Sequence, residues 1–109
     1  PEPSLHLWNP RLYLGVEAGV TTQGQAEFAP SVTVSTSSYG KYKTNPDFSF
    51  MHLGVGFLTS NKKPSLTFAP AMYNVGQHIP LMKSTYVGPM MHIDADKNVA
   101  FMLGLKVGL

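Results

Sequence analysis

The chain has 109 residues, enough for one domain with its own core and little to spare. Charged side chains make up 13% of it, about half the usual share, and the formal net charge of +2 comes from lysines scattered over turns rather than gathered in a stripe, which excludes the electrostatic footprint of a nucleic-acid binder. Cysteine is absent, so neither a disulfide framework nor a thiolate metal site is available, and no apolar run approaches the roughly 20 residues of a membrane-spanning helix.

Residues 1–10 read as an extended lead-in or linker. Pro1-Glu2-Pro3-Ser4 has linker composition, as if cut from a longer protein, and Trp8-Asn9-Pro10 closes the stretch. Residues 11–109 read as one domain. From Arg11 to Thr21 the residues alternate, with Leu12, Leu14, Val16, Ala18 and Val20 on one side and Arg11, Tyr13, Gly15, Glu17 and Gly19 on the other, which is the period of a strand. A polar turn over residues 22–25 leads to a second strand, 26–36, in which Phe28, Pro30, Val32 and Val34 oppose Glu27, Ala29, Ser31 and Thr33.

Residues 37–47 read as a long loop with Gly40 and Asn45-Pro46 as breakers. A third strand, 48–59, sets Met51, Leu53, Val55 and Phe57 against His52, Gly54 and Gly56, and Asn61-Lys62-Lys63 forms its turn. The fourth, 65–75, sets Leu66, Phe68, Pro70 and Met72 against Thr67, Ala69, Ala71 and Tyr73. A second long loop, 76–83, contains His78 and Pro80. The fifth strand, 85–95, sets Val87, Pro89, Met91 and Ile93 against Tyr86, Gly88, Met90, His92 and Asp94. After a turn over 96–98 the sixth runs to Leu109, with Val99, Phe101, Leu103, Leu105 and Val107 opposite Ala100, Met102, Gly104, Lys106 and Gly108.

These six strands form three similar hairpins. Leu14-Gly15-Val16 leads to Phe28-Ala29-Pro30, Leu53-Gly54-Val55 to Phe68-Ala69-Pro70, and more loosely Val87-Gly88-Pro89 to Phe101-Met102-Leu103. The fold class is therefore all-β, an antiparallel up-and-down meander of about six strands, barrel or barrel-like. Pro30, Pro70 and Pro89 each remove a ladder donor, so bulges or broken pairing are expected there. Six strands are fewer than the usual minimum of eight, so closure is expected to need partner chains or further sequence, giving a homo-oligomer. The methionines Met51, Met72, Met82, Met90, Met91 and Met102 read as packing residues that fill irregular gaps.

One face is continuously aliphatic. The other is mostly Gly, Ala and Ser, and it carries the ionisable residues Arg11, Glu17, His52, His92, Asp94 and Lys106. Charges turned into a lumen while aliphatics face lipid is the transmembrane-barrel arrangement, and strands of about 9–11 residues are long enough to span when tilted. Through Leu-Gly-Val-x-x-Gly at Leu14–Gly19 and Leu-Gly-Val-Gly-Phe at Leu53–Phe57, the chain resembles small outer-membrane barrels of the opacity-protein type. It is also similar to the glycine-rich hairpin domains at the C-terminus of some phage envelope and lysis proteins. Both resemblances imply an envelope barrel without catalytic residues. Two departures count against the outer-membrane resemblance: Leu109 stands where such barrels carry a terminal aromatic, and both termini fall at the end with the long loops. The alternative, a soluble barrel or sandwich serving as a binding or assembly module of a virion or secreted protein, is favoured by the polar loops and the missing terminal aromatic.

Candidate sites are few. His92 and Asp94, two apart on one strand face, have spacing suited to a metal or a general base, with Glu17 or His52 as a third partner, but a polar network in the lumen is the simpler expectation. Tyr39, Lys41, Tyr42 and Lys43 mix aromatics and cations in one loop and offer a surface for sugar, anion or lipid headgroup. Trp8 is a candidate interface anchor. No catalytic residue, cofactor or metal is expected. The expected role is non-enzymatic, structural or pore-like, in the cell envelope or outer membrane, with membrane lipid or an envelope component as partner.

Overall fold

The computed structural model of the protein describes residues 2–60, 62–79 and 84–109; the expectations for Asn61, Pro80 and Met82 lie outside the described residues. Period-two alternation becomes strand throughout: β1 (Ser4–His6), β2 (Arg11–Thr21), β3 (Ala26–Ser35), β4 (Ser37–Gly40), β5 (Phe48–Leu58), β6 (Lys63–Asn74), β7 (Thr85–Asp94) and β8 (Val99–Gly108), with a short 3-10 turn at Val75–Gln77. Local chemistry sets the tight turns. Thr21 Oγ1 accepts the amides of Gln23 and Gln25 at 3.3 and 3.2 Å, and Gly24 takes φ +82°. The Asp94 carboxylate accepts those of Asp96 and Asn98 at 2.9 and 3.0 Å.

All pairings are antiparallel, and six strands close in the order β2, β3, β5, β6, β7, β8, with β2–β8 completing the ring. Closure therefore needs no partner chain, contrary to the sequence expectation. The loop expected over 37–47 begins instead with a strand. β5 is long enough to pair with Ser31–Val34 of β3 near the barrel middle and with Ser37–Tyr39 of β4 beyond it, and β4 in turn pairs with Ser4–His6 of the lead-in.

Following paired residues round the wall from Leu12 passes through Val34, Leu53, Phe68, Met91 and Phe101 and returns to β2 at Val20, eight residues on. With a rise of about 3.3 Å per residue and strands about 4.8 Å apart, that stagger gives a tilt of about 43° and a backbone radius of about 6.5 Å. Such a cylinder is filled by its own side chains.

The sheet is irregular where proline and a left-handed residue coincide. Met51 has φ +55°, Pro70 has no N–H, and the Met51/Pro70 pair drops out of the β5–β6 ladder. The β6–β7 register then shifts between Phe68 and Tyr73, beside Pro89. Both strands change parity here: Ser49 and His52, and likewise Ala69 and Met72, all point inward. Met72 thus leaves the aliphatic face assigned to it by alternation, and Tyr73 moves out to meet Phe48 at 5.1 Å. At Pro30 the pair with Val16 is kept and pairing to β5 begins one residue later. Of the described methionines, Met72, Met90 and Met102 fill the lumen, while Met51 lies outside.

The outer face stays apolar all round. Leu12, Leu14, Val16, Val20, Phe28, Val32, Val34, Leu53, Val55, Phe57, Leu66, Phe101, Leu103, Leu105 and Val107 are all exposed, Leu103 by 62%. On the described barrel strands the outward hydroxyl is that of Tyr73, at the loop end, while Thr85 at the start of β7 is buried.

Candidate functional site

The lumen is the chemically distinctive part of the molecule, and it is layered. Tyr13, Met72, Tyr86, Ala69 and Met90 form an apolar cluster toward the long loops; Ala29, Leu58, Ala100 and Met102 form another toward the tight turns. Between them lies a fully buried polar layer. Glu17 of β2 is at its centre: its Oε1 accepts from Ser31 Oγ and from His92 Nε2, both at 2.6 Å, and its Oε2 lies 3.3 Å from Lys106 Nζ. Lys106 also donates to the Ser31 carbonyl at 3.0 Å and to the Ser31 hydroxyl. A carboxylate can only accept, so His92 carries a proton on Nε2, and its Nδ1 lies 2.8 Å from the Ser65 hydroxyl. Five of the six barrel strands contribute to this one network.

His52 belongs to a separate arrangement. Its ring lies between Ser49 Oγ, 2.5 Å from Nε2, and Thr33 Oγ1, 3.2 Å from Nδ1, and packs against Tyr13 with centroids 4.5 Å apart. The parity change at Met51 is what brings Ser49 and His52, three apart in sequence, to the same ring.

Small residues make room for these groups. A Cβ on Gly54 would fall 1.9 Å from the Val32 carbonyl oxygen, and one on Gly15 would fall 2.0 Å from that of Leu105. The inward glycines therefore let neighbouring backbones approach, and Lys106, His92 and His52 fill the space between.

Both ends are stopped. At the loop end Pro46 is fully buried, and its carbonyl accepts from Tyr86 Oη at 2.9 Å and Asn74 Nδ2 at 3.1 Å, so the chain after β4 folds down as a plug. Arg11 sits half-buried at this mouth, 5.7 Å from the Tyr13 ring centre. At the turn end Glu27 accepts the Ser60 amide at 3.1 Å and the Thr59 hydroxyl at 3.2 Å and binds the Ser60 hydroxyl, and Lys63 pairs with Asp96.

Of the six lumen candidates, the structure brings Glu17, His92 and Lys106 together, keeps His52 in its own layer and sets Arg11 at the loop end. Asp94 does not join His92. Its carboxylate holds the 95–98 turn, accepting Asn98 Nδ2 at 3.1 Å as well as the two amides. Among the described residues no group of three or more His, Cys, Asp or Glu could hold a metal. Alternation placed Glu17, His52, His92 and Lys106 on one face, but nothing in the sequence named Ser31 as the partner of Glu17 and Lys106, Ser65 as that of His92, Ser49 and Thr33 as those of His52, or Pro46 as a plug.

The loop candidates are divided. Tyr39 is in β4, pointing out. Lys41 and Tyr42 line an open cleft of about 670 Å³ with Asn45, Asp47, Gln77, His78 and Ser84. Lys43 lines a smaller recess with Asn9 and Arg11. A comparison with family models, curated proteins and solved structures found no match to this chain.

Proposed function

We propose that this protein is a non-enzymatic, envelope-associated β-barrel whose outer wall lies in a lipid bilayer and whose role is structural. One observation carries this: the exposed wall is apolar on every strand while Glu17, His52, His92 and Lys106 are wholly buried in the lumen, the reverse of a water-soluble barrel. Ten residues per strand at the tilt given above make a band about 24 Å tall, close to the roughly 25 Å of known membrane barrels. The closed ring leaves no unpaired barrel strand to face hydrocarbon.

The packed lumen favours a structural over a pore-like role, since an ion would have to displace both the Pro46 plug and the Glu17–Lys106 layer. Within the lumen the Glu17 carboxylate and the His52 and His92 imidazoles bond to buried partners rather than facing an open cleft, which favours a protein without catalysis there. A homo-oligomer is not needed to close the ring, because the strands of one chain already do so.

Size-exclusion chromatography with light scattering, run without and then with detergent, tests the reading. Aggregation without detergent, relieved by detergent with β-type circular dichroism retained, is the expected result. A monodisperse species in plain buffer would refute it and would make the protein a soluble assembly module, its mass giving the number of copies whose walls cover one another.

A further inference from the structure

The structure carries a second, distinct surface at the loop end, where the lead-in adds itself to the sheet. Leu5 pairs with Tyr39, Tyr39 with Phe48 and Phe48 with Tyr73, so these four side chains form one outward row across β1, β4, β5 and β6. Leu7 and Trp8 follow directly and are 75% and 74% exposed, the most exposed large apolar residues described. This ledge is built rather than loose. Asn9 donates through Nδ2 to Ser38 Oγ at 3.0 Å and to the Lys43 carbonyl at 2.8 Å, its amide meets the Thr36 carbonyl at 2.7 Å, and His6 Nε2 lies 3.0 Å from the Gly40 carbonyl.

Its composition differs from that of the wall below. The chain has five tyrosines and one tryptophan. Tyr13 and Tyr86 fill the lumen, and the other four, Trp8, Tyr39, Tyr42 and Tyr73, all lie at the loop end. The opposite end exposes only phenylalanines, Phe28, Phe57 and Phe101. Rings with an apolar body and a polar edge settle at the headgroup boundary of a bilayer, where the body meets acyl chains and the edge meets water and carbonyl groups. Lys41 and Lys43 stand on the exposed loop beside the ledge, placed to meet lipid phosphates.

We propose that the β1–β4 ledge with Trp8 is an interfacial anchor that lies in the lipid headgroup layer on the loop side and sets how deep the barrel sits. The anchor rests on the bilayer reading above. The occupant is lipid rather than protein because the row continues the apolar wall through Phe48 and Phe50, while the Tyr73 hydroxyl turns to His78 and Gln77 at the loop end and Lys41 and Lys43 are exposed on the loop that follows β4.

The test uses Trp8 as the sole indole of the native chain. The protein is reconstituted in phosphatidylcholine vesicles whose acyl chains are brominated either near the headgroup or near the chain end, and quenching of its emission is compared. A control, Trp8→Phe combined with Leu103→Trp, moves the indole to the middle of the wall. The expected result is a blue shift of Trp8 emission on reconstitution with stronger quenching by the shallow bromines, and the opposite preference for the control. Trp8 unquenched while the control is quenched by deep bromines would overturn the anchor and leave the membrane barrel standing. Trp8 quenched mainly by deep bromines would also overturn it. Neither indole quenched would refute the bilayer reading, and the anchor with it.

Discussion

Gly54→Ala isolates a single methyl group at the narrowest joint of the ring. The added Cβ would lie 1.9 Å from the Val32 carbonyl oxygen and 2.6 Å from the Thr33 Cα, both backbone atoms with no rotamer to change. Reaching ordinary contact requires β3 and β5 to separate by about 1.5 Å, enough to lengthen a normal ladder hydrogen bond beyond 4 Å. β3 and β5 share only the four residue pairs from Ser31/Gly56 to Val34/Leu53, so the opening removes much of the joint. Buried amide groups left without partners cost about 1–3 kcal/mol each, and more where no water can replace the partner. The substitution should therefore destabilise the barrel by at least about 3 kcal/mol. A glycine facing open space would give the opposite sign, because alanine restricts the unfolded chain and stabilises by about 0.4–1 kcal/mol. Urea unfolding in detergent micelles, followed by β-type circular dichroism, measures the difference. Unchanged or raised stability would refute both the close approach and the filled lumen deduced from it.

Lys106→Met alone should cost about 3–5 kcal/mol in the same assay by leaving Glu17 without its cation, and adding Glu17→Gln should recover most of the loss; additive losses would mean that the pair does not act as a unit. Leu103→Lys, near the middle of the wall, should lower folding stability in lipid by about 2–4 kcal/mol, whereas Ala26→Lys at the turn end should cost about 0–1 kcal/mol. Equal effects at the two depths would count against lipid contact. Tyr86→Phe removes the hydroxyl that holds the Pro46 carbonyl and should cost about 1 kcal/mol, with faster proteolysis in the loop of residues 41–47; an unchanged cleavage rate would mean the plug is held without it.

The strands were legible because both faces announce themselves: aliphatic residues outside and small or ionisable ones inside repeat with period two on all six. Legibility ended where the period broke. Alternation carried Met72 outward with Leu66 and Phe68, but the left-handed backbone at Met51 and the missing donor at Pro70 rotate both strands and turn Met72 in. Closure was also hidden, since strand count alone says that six is few, while the eight-residue stagger that lets six strands close is a property of pairing. Glycine frequency hinted at it. Within the lumen, Glu17, His92 and Lys106 could be assigned to one face, but which of them touch depends on the stagger that brings β2, β7 and β8 to the same height. His92 and Asp94 were the nearest pair in sequence, yet they serve different structures because Asp94 is at the strand end, where turn amides converge on its carboxylate.

The lumen network also accounts for how so few strands suffice. Glu17, Ser31, Ser65, His92 and Lys106 come from β2, β3, β6, β7 and β8; the Glu17–Ser31 and Ser65–His92 contacts lie between neighbouring strands, whereas Glu17 reaches His92 and Lys106 only after β2 meets β8. Before closure Glu17 and Lys106 would each be buried without the other, at several kcal/mol per charge. Closure thus joins two local pairs and the Lys106 ammonium into one layer, which makes partly closed forms unfavourable and the ring cooperative. The same layer blocks the axis. A six-stranded wall of this stagger leaves no width for both a hydrated path and the side chains that stabilise it, so the features that let the ring close in a single chain are those that deny it a channel.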